Sequence, residues 1–202
     1  ARGSGGVAAG TASSRLPGMT ELELLRDVLQ RLNAAGASYM LTGSMASNAW
    51  GIPRTTHDLD IVLQIPPSQT EHFAQAFSGD YYVDERAIRQ AFSPPWQFNV
   101  LHIPSALKVD FWLLTSVEFE QEMFRRRVRY VLLGEPAWIA TPEDVLLHKL
   151  YWHTITPSDR QLGDVAGVVA VQKEKLYQGY IRRWGKEHQV SELMVKGLAG
   201  EM

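Results

Sequence analysis

The chain has 202 residues, 45% of them hydrophobic and 21% charged, with a formal net charge of −2. Those values describe a soluble globular protein of one ordinary domain, or one domain with a small second lobe, and give no global electrostatic case for nucleic acid or membrane. The lack of cysteine excludes disulfides and thiolate metal sites, and no apolar run approaches the roughly 20 residues that cross a bilayer, so a cytoplasmic protein with no membrane partner is expected.

Residues 1–18 are small, rich in Gly, Ser and Ala, and without periodicity. They lack the continuous apolar stretch of a signal peptide and read as a disordered tail or a cloning remnant. Thr20-Glu21-Leu22-Glu23 has the form of a capping box, and Leu22, Leu25, Val28, Leu29 and Leu32 follow at helical spacing, so a helix is expected to run to about Ala35-Gly36. Residues 38–42 read as a short strand entering a Gly43-Ser44 turn, and residues 45–50 as a short helix. After a loop over 52–57, residues 58–65 form the second expected strand, stopped by Pro66-Pro67. An amphipathic helix over 68–77, a strand over 81–85 and a short helix over 86–92 come next. Residues 97–103 and 107–113 look like a hairpin, followed by a helix over 119–126 and a strand over 128–133. Thr141-Pro142-Glu143-Asp144 is a strong helix start, with Thr at the cap and Pro at the first helical position. A second helix opens at Ser158, and residues 174–199 supply one or two more. Strands mixed with helices and joined partly by hairpins predict an α/β (α+β) fold whose sheet is not purely parallel. The boundaries drawn are a core over 19–139 and a C-terminal helical lobe over 140–202.

Asp58 and Asp60 carry the first chemical signal. Side chains i and i+2 of a strand leave the same face, so the two carboxylates project together beside the Gly43-Ser44 turn. Such a pair is either a solvated edge of a sheet or a site for a cation, and Mg²⁺, which prefers oxygen ligands and shares them with phosphates, is the natural one. Asp110 adds a third acid within the apolar run Val109-Asp110-Phe111-Trp112-Leu113, where a lone carboxylate is expensive to bury. Three carboxylates on neighbouring strands can hold two divalent ions.

Leu41-Thr42-Gly43-Ser44, then Asp58-Leu59-Asp60, then Asp110 within a strand resembles the nucleotidyltransferase superfamily, the DNA polymerase beta-like fold. Arg54 and Thr56 ahead of the acidic pair narrow the likeness to the branch of AbiEii/AbiGii-type toxins and small bacterial nucleotidyltransferases. The resemblance continues through residues 143–150, 158–165 and 180–184, and so covers most of residues 22–198. It implies a mixed sheet flanked by helices, with a helical lobe over the nucleotide, and transfer of an NMP from an NTP to a hydroxyl with release of pyrophosphate. By the same likeness, Gly43 and Ser44 would cradle phosphates, and Asp58, Asp60 and Asp110 would hold two Mg²⁺ ions, with Asp110 also the base. Arg54 and Lys149 would neutralise the triphosphate, and Asp164 would hold Lys149 or Arg160. For Arg54 a loop staple to an aspartate is an equal reading, and for Lys149 the alternative is a surface lysine.

The acceptor stays open at this stage: tRNA or other RNA, a protein, or a small molecule such as an antibiotic. A cognate antitoxin is a further expected partner if the chain is a toxin. Arg125, Arg126, Arg127 and Arg129 form a basic cluster that suits either RNA phosphates or a solvated turn. Trp152 suits either a core or base stacking, and Trp112 and Trp184 read as core. The rival from another class is a non-catalytic module that binds nucleotide or a protein partner.

Overall fold

A computed structural model describes residues 19–201, so the reading of residues 1–18 as a tail lies outside the described residues. The first helix, α1 (Glu21–Ala34), starts on the expected capping box. The Glu23 amide donates to Thr20 Oγ1 at 3.3 Å, and the Glu23 carboxylate accepts from the Thr20 amide at 2.7 Å. Leu24, Leu25, Val28, Leu29 and Leu32 form its buried stripe, whereas Leu22, counted in the expected stripe, is exposed at the first turn.

Next come β1 (Ser38–Leu41), α2 (Gly43–Trp50), β2 (Asp60–Gln64), α3 (Thr70–Ala76), β3 (Tyr81–Tyr82) and α4 (Glu85–Gln90). The β3 strand is shorter than expected because the Asp84 side chain accepts the Arg86 amide at 2.8 Å and begins α4. The predicted hairpin forms as β4 (Gln97–His102) and β5 (Leu107–Leu113), and α5 (Glu118–Arg126) and β6 (Val128–Leu132) follow. A strand absent from the sequence reading, β7 (Glu135–Ile139), then pairs antiparallel with β6 through a Leu133-Gly134 turn with φ of 55° and 81°.

Four helices complete the chain: α6 (Pro142–Ile155), α7 (Asp159–Gln172), α8 (Gln178–Glu187) and α9 (Ser191–Ala199). None of the described helices is long and apolar enough to cross a membrane.

The seven strands lie in the order β3-β4-β5-β2-β1-β7-β6. The β2–β5 and β1–β7 pairs are parallel and the others antiparallel, so the sheet is mixed, as the pattern of hairpins and helices implied. Strand alternation divides its two faces. Ile61, Leu63, Val109, Phe111, Phe98 and Val100 point into the core, where Phe73 packs edge-on against Phe98 and Phe111. The opposite face carries Asp60, Val62, Asp110, Trp112 and Asn99. The helical lobe closes on α2 through α6 and α7. The contact with α7 is so tight that a Cβ on Gly51 would lie 2.6 Å from the Val168 amide nitrogen.

Candidate active site

The turn after β1 is built by backbone constraints. Thr42 is extended and Gly43, the first residue of α2, takes φ +62°, a conformation that favours glycine. Thr42 makes no side-chain cap, and the first bond into the helix runs from the Ala46 amide to the Thr42 carbonyl at 3.3 Å. Among the described residues, the amides of Gly43, Ser44 and Met45 thus have no backbone acceptor, and a helix N-terminus with free amides favours an anion. The glycine has a second reason. A Cβ there would lie 2.3 Å from Asp60 Oδ2, so only a bare backbone lets this carboxylate stand beside the turn.

Asp60 opens β2 and pairs in parallel register with Asp110 of β5, which in turn pairs with Asn99 of β4. Residues in register on neighbouring strands share a face and lie about 4.8 Å apart along the hydrogen-bonding direction. Asp60 and Asp110 therefore stand side by side, as the strand pattern implied. Asp58 lies before β2 rather than within it, exposed, its amide bonded to Thr56 Oγ1 at 3.3 Å. Burial pushes the Asp60 carboxyl above its usual range; a 3.3 Å bond from Trp112 Nε1 opposes that, and the charges of Asp110 and Asp58 add to it.

Asp110 is 8% exposed, and both its oxygens accept from Lys108 Nζ, at 3.0 and 2.9 Å. The Asn99 amide, turned with its nitrogen toward Asp110, donates to Oδ1 as well. Lys108 reaches its partner because it sits two residues earlier on the same strand face. Among the described residues no three His, Asp or Glu side chains gather into a metal cage. Asp58 and Asp60 nonetheless fit a hard cation, since neither makes an ion pair with a described cationic side chain.

Behind the glycine turn, Arg54, Asp164, Lys149 and Ser44 form one network. Arg54 grips Asp164 with two prongs, Nε to Oδ1 at 2.6 Å and Nη2 to Oδ2 at 2.9 Å, and Nη2 also donates to Ser44 Oγ at 3.0 Å. Lys149 Nζ bonds Asp164 Oδ2 at 2.7 Å and Ser44 Oγ at 3.4 Å. Burial alone would raise the Asp164 carboxyl, but the bonds and charges of Arg54 and Lys149 outweigh it and hold the group below its usual range. Of the two lysine–arginine partners expected for Asp164, Lys149 is bonded, and Arg54 occupies the place given to Arg160. Arg54 is thus both a staple and a neighbour of the turn.

A cavity of about 530 Å³ opens over this face, with Gly43, Ser44, Asp58, Asp60 and Lys149 at one part of its wall. Trp96, Trp112, Trp152, Met123, His148 and Glu120 line much of the rest. Asp110, Arg54 and Asp164 do not line it; Asp110 faces Lys108, and the other two stand behind Ser44 and Lys149.

No protein family's sequence profile matches the chain, and no curated protein does. Solved structures do match. The solution structure of the antibiotic-resistance factor ANT(2'')-Ia aligns with a TM-score of 0.57 at 10% identity, over 87% of this chain and 95% of that one. An antigenic nucleotidyltransferase-like protein from Paracoccidioides brasiliensis aligns at 0.54 and 14%, over 90% and 94%. ANT(2'')-Ia in complex with adenylyl-2''-tobramycin aligns at 0.57 and 10%, over 84% and 97%. The chain has the nucleotidyltransferase fold.

Within that fold, several residues depart from the sequence reading. The arginine cluster is partly engaged within the protein, with Arg125 and Arg129 still exposed. Arg126 bonds Glu143 and Asp144 at 3.1 and 3.3 Å and lies 3.6 Å above the Tyr180 ring. Arg127 and Arg129 lie over Trp138, and Arg125 pairs with Glu122. Trp112 and Trp152 face the cavity, and only Trp184 is core as expected. Trp96 and Lys108 carried no usable signal, since neither sits in a recognisable motif; an aromatic directly before a strand and a lysine at i−2 from Asp110 were the only hints.

Proposed function

We propose that this chain is a Mg²⁺-dependent nucleotidyltransferase, moving an NMP from an NTP to a hydroxyl acceptor with release of pyrophosphate. One observation carries the reading. The free amides of Gly43, Ser44 and Met45, with Lys149 beside Ser44, meet Asp58 and Asp60, two carboxylates without ion pairs among the described residues, on the wall of one cavity. Anion donors and cation acceptors face to face suit a phosphate chain and a divalent ion together. Asp58 and Asp60 would hold Mg²⁺, which would supply neutralisation of the phosphate charge, and Asp110 would be a further ligand if released from Lys108.

The protein's own groups do the rest. The turn amides and Lys149 bind the β- and γ-phosphates, and the Arg54–Asp164 pair holds Lys149 and Ser44 in position. The acceptor oxygen forms the new bond to the α-phosphorus as the bond to the pyrophosphate oxygen breaks, and the acceptor proton passes to Asp110. The likeness of TM-score 0.57 to ANT(2'')-Ia bound to adenylyl-2''-tobramycin supports a small-molecule hydroxyl as acceptor. The bonds of Arg126 to Glu143 and the stacking of Arg127 on Trp138 weaken the case for tRNA, while Arg125 and Arg129 stay exposed. Arg54 ahead of the acidic pair still supports a place beside the AbiEii-type toxins, with a cognate antitoxin as partner.

The test is thermal stability with each NTP, with and without Mg²⁺, followed by pyrophosphate release over a panel of acceptors. A nucleotide at about 100 times its Kd should stabilise by about 2.7 kcal/mol, or roughly 5–10 °C for a domain of this size. No shift with any NTP would overturn the reading. A shift without turnover would favour a non-catalytic nucleotide-binding module, which the neutralisation of Asp110 by Lys108 supports.

A further inference from the structure

The part of the cavity away from the glycine turn has a chemistry of its own. Trp96 is 37% exposed and Trp152 39%, and both line this space with Trp112 of β5. Trp96 is held at φ +62°, which a bulky residue rarely adopts. Its amide donates to the Ser93 carbonyl at 2.9 Å and its carbonyl accepts from the Leu113 amide at 2.7 Å, so the backbone is clamped on both sides. Strain of this kind persists where the surroundings impose it, and here it places an indole at the cavity.

The polar handles of the other two indoles are taken. Trp112 Nε1 donates to Asp60, and Trp152 Nε1 donates to His148 Nε2 at 2.9 Å. Burial pushes His148 down to about 4, so it is a neutral acceptor at physiological pH and brings no positive charge to the wall. Glu120, a carboxylate lining this part, accepts the Thr115 hydroxyl at 2.6 Å and amide at 3.3 Å through Oε2 alone, which leaves Oε1 open. Asp58 and Asp60 stand at the phosphate part. What remains toward the ligand is chiefly ring faces, Met123 and Val62, with Gln161 and a single carboxylate oxygen, Glu120 Oε1, as polar groups.

From this we infer that the acceptor is a small hydroxyl compound with a flat, mainly apolar body, stacked against Trp96 and Trp152, and not a polycationic amino sugar. The inference rests on the transferase reading and narrows it. An amino sugar carries several ammonium groups and needs several free carboxylates, which this wall does not offer. A space of about 530 Å³ shared with a nucleotide suits a small molecule rather than a nucleic acid. Flat rings recognise indoles by stacking, whatever their edge chemistry.

The experiment titrates the intact protein with 2-naphthylmethanol, tobramycin and bulk tRNA, followed by tryptophan fluorescence and calorimetry. Each titration is made alone and with a saturating Mg²⁺ complex of an ATP analogue in which a methylene group replaces the oxygen bridging the α- and β-phosphates. The expected result is that 2-naphthylmethanol binds in the presence of the nucleotide, tobramycin and tRNA bind far more weakly, and Trp152→Ala and Trp96→Ala each weaken the aryl alcohol by roughly tenfold. Trp152→Phe, which keeps a ring, restores most of the binding and separates stacking from misfolding. Tighter binding of tobramycin or tRNA than of the aryl alcohol would overturn the inference. So would competition between the aryl alcohol and the nucleotide, which would assign the ring faces to the base. Failure of the nucleotide itself to bind is read in the same titrations and counts against the transferase reading, while the titrations without nucleotide still report on the wall.

Discussion

Lys108 and Asp110, two residues apart on β5, form a two-pronged ion pair in which one ammonium touches both carboxylate oxygens, at 3.0 and 2.9 Å. Asp60 stands in register beside Asp110, yet it makes no ion pair with a described cationic side chain. One acid of the row is therefore neutralised by the chain and its neighbour is left to an outside cation. Lys108→Met should free Asp110 to join Asp60 as a ligand. Mn²⁺ affinity, measured by electron paramagnetic resonance without nucleotide, should rise by roughly tenfold, about 1.4 kcal/mol. Adding Asp110→Asn should cancel that gain. Equal Mn²⁺ affinity in wild type and Lys108→Met would reduce the pair to a surface contact.

Asp60 links the site to stability. Its carboxyl is raised by burial first, with the Trp112 bond opposing and the charges of Asp110 and Asp58 reinforcing. A group whose folded value lies above its unfolded one holds its proton more tightly in the fold. Its ionisation therefore removes stability as pH rises through the unfolded value toward the folded one. Asp60→Asn should outlast the wild type in urea at pH 8 by about 1 kcal/mol, the size of a typical single-residue effect. The gap should shrink toward pH 4, and Mg²⁺ should narrow it at pH 8. Transfer should fall by about 10²–10³-fold. A wild type more stable than the variant at pH 8 would contradict the strain assigned to this acid.

How much of this was legible in the chain follows the range of each interaction. The starts of α1 and α6 are set within four residues, by Thr20 with Glu23 and by Thr141 with Pro142, and both stand where they were expected. Asp60 and Asp110 share a face because strand alternation is a local rule, so their meeting needed only the right two strands as neighbours. Arg54 and Asp164, in contrast, are 110 residues apart, and nothing near either names the other. The partners of the arginine cluster were illegible for the same reason, since Glu143, Asp144 and Tyr180 reach it from other elements. The β7 strand was hidden by Pro136, a residue that usually argues against a strand and is tolerated here at one point of the ladder.

Asp164 is the anionic centre of the network behind the turn, its side chain 3% exposed and bonded to Arg54 and Lys149. Removing one partner of a buried ion pair leaves uncompensated charge. Asp164→Ala should cost about 3–5 kcal/mol, read from urea unfolding at pH 7. Because the bonds from Arg54 and Lys149 hold this carboxyl below its usual range, its contribution is present above the unfolded value and is lost as pH falls through the folded one. Acid titration of the wild type should therefore lose stability that the variant never had. Inorganic triphosphate should recover part of the variant's deficit by taking up the two freed cations. Absence of any such recovery would detach Arg54 and Lys149 from phosphate binding.

Gly43 makes a separate demand, because its φ of +62° and its contact with Asp60 are independent reasons against a side chain. Gly43→Ala should cost about 1–2 kcal/mol from the backbone conformation alone. The new methyl, 2.3 Å from Asp60 Oδ2 if nothing moved, must also drive the carboxylate away from the turn. The two contributions separate in a double-mutant cycle. In an Asp60→Ala background the steric part shrinks to the contact with the residue-60 Cβ at 3.0 Å and the conformational part stays, so Gly43→Ala should cost less there than in the wild type. Nucleotide affinity adds a third readout, since a displaced turn misaligns the amides of Gly43, Ser44 and Met45 whether or not residue 60 is an acid. If the cost of Gly43→Ala is the same in both backgrounds, Asp60 does not pack on the glycine, and the close approach that joins the phosphate turn to the acidic row is lost as an explanation for this residue.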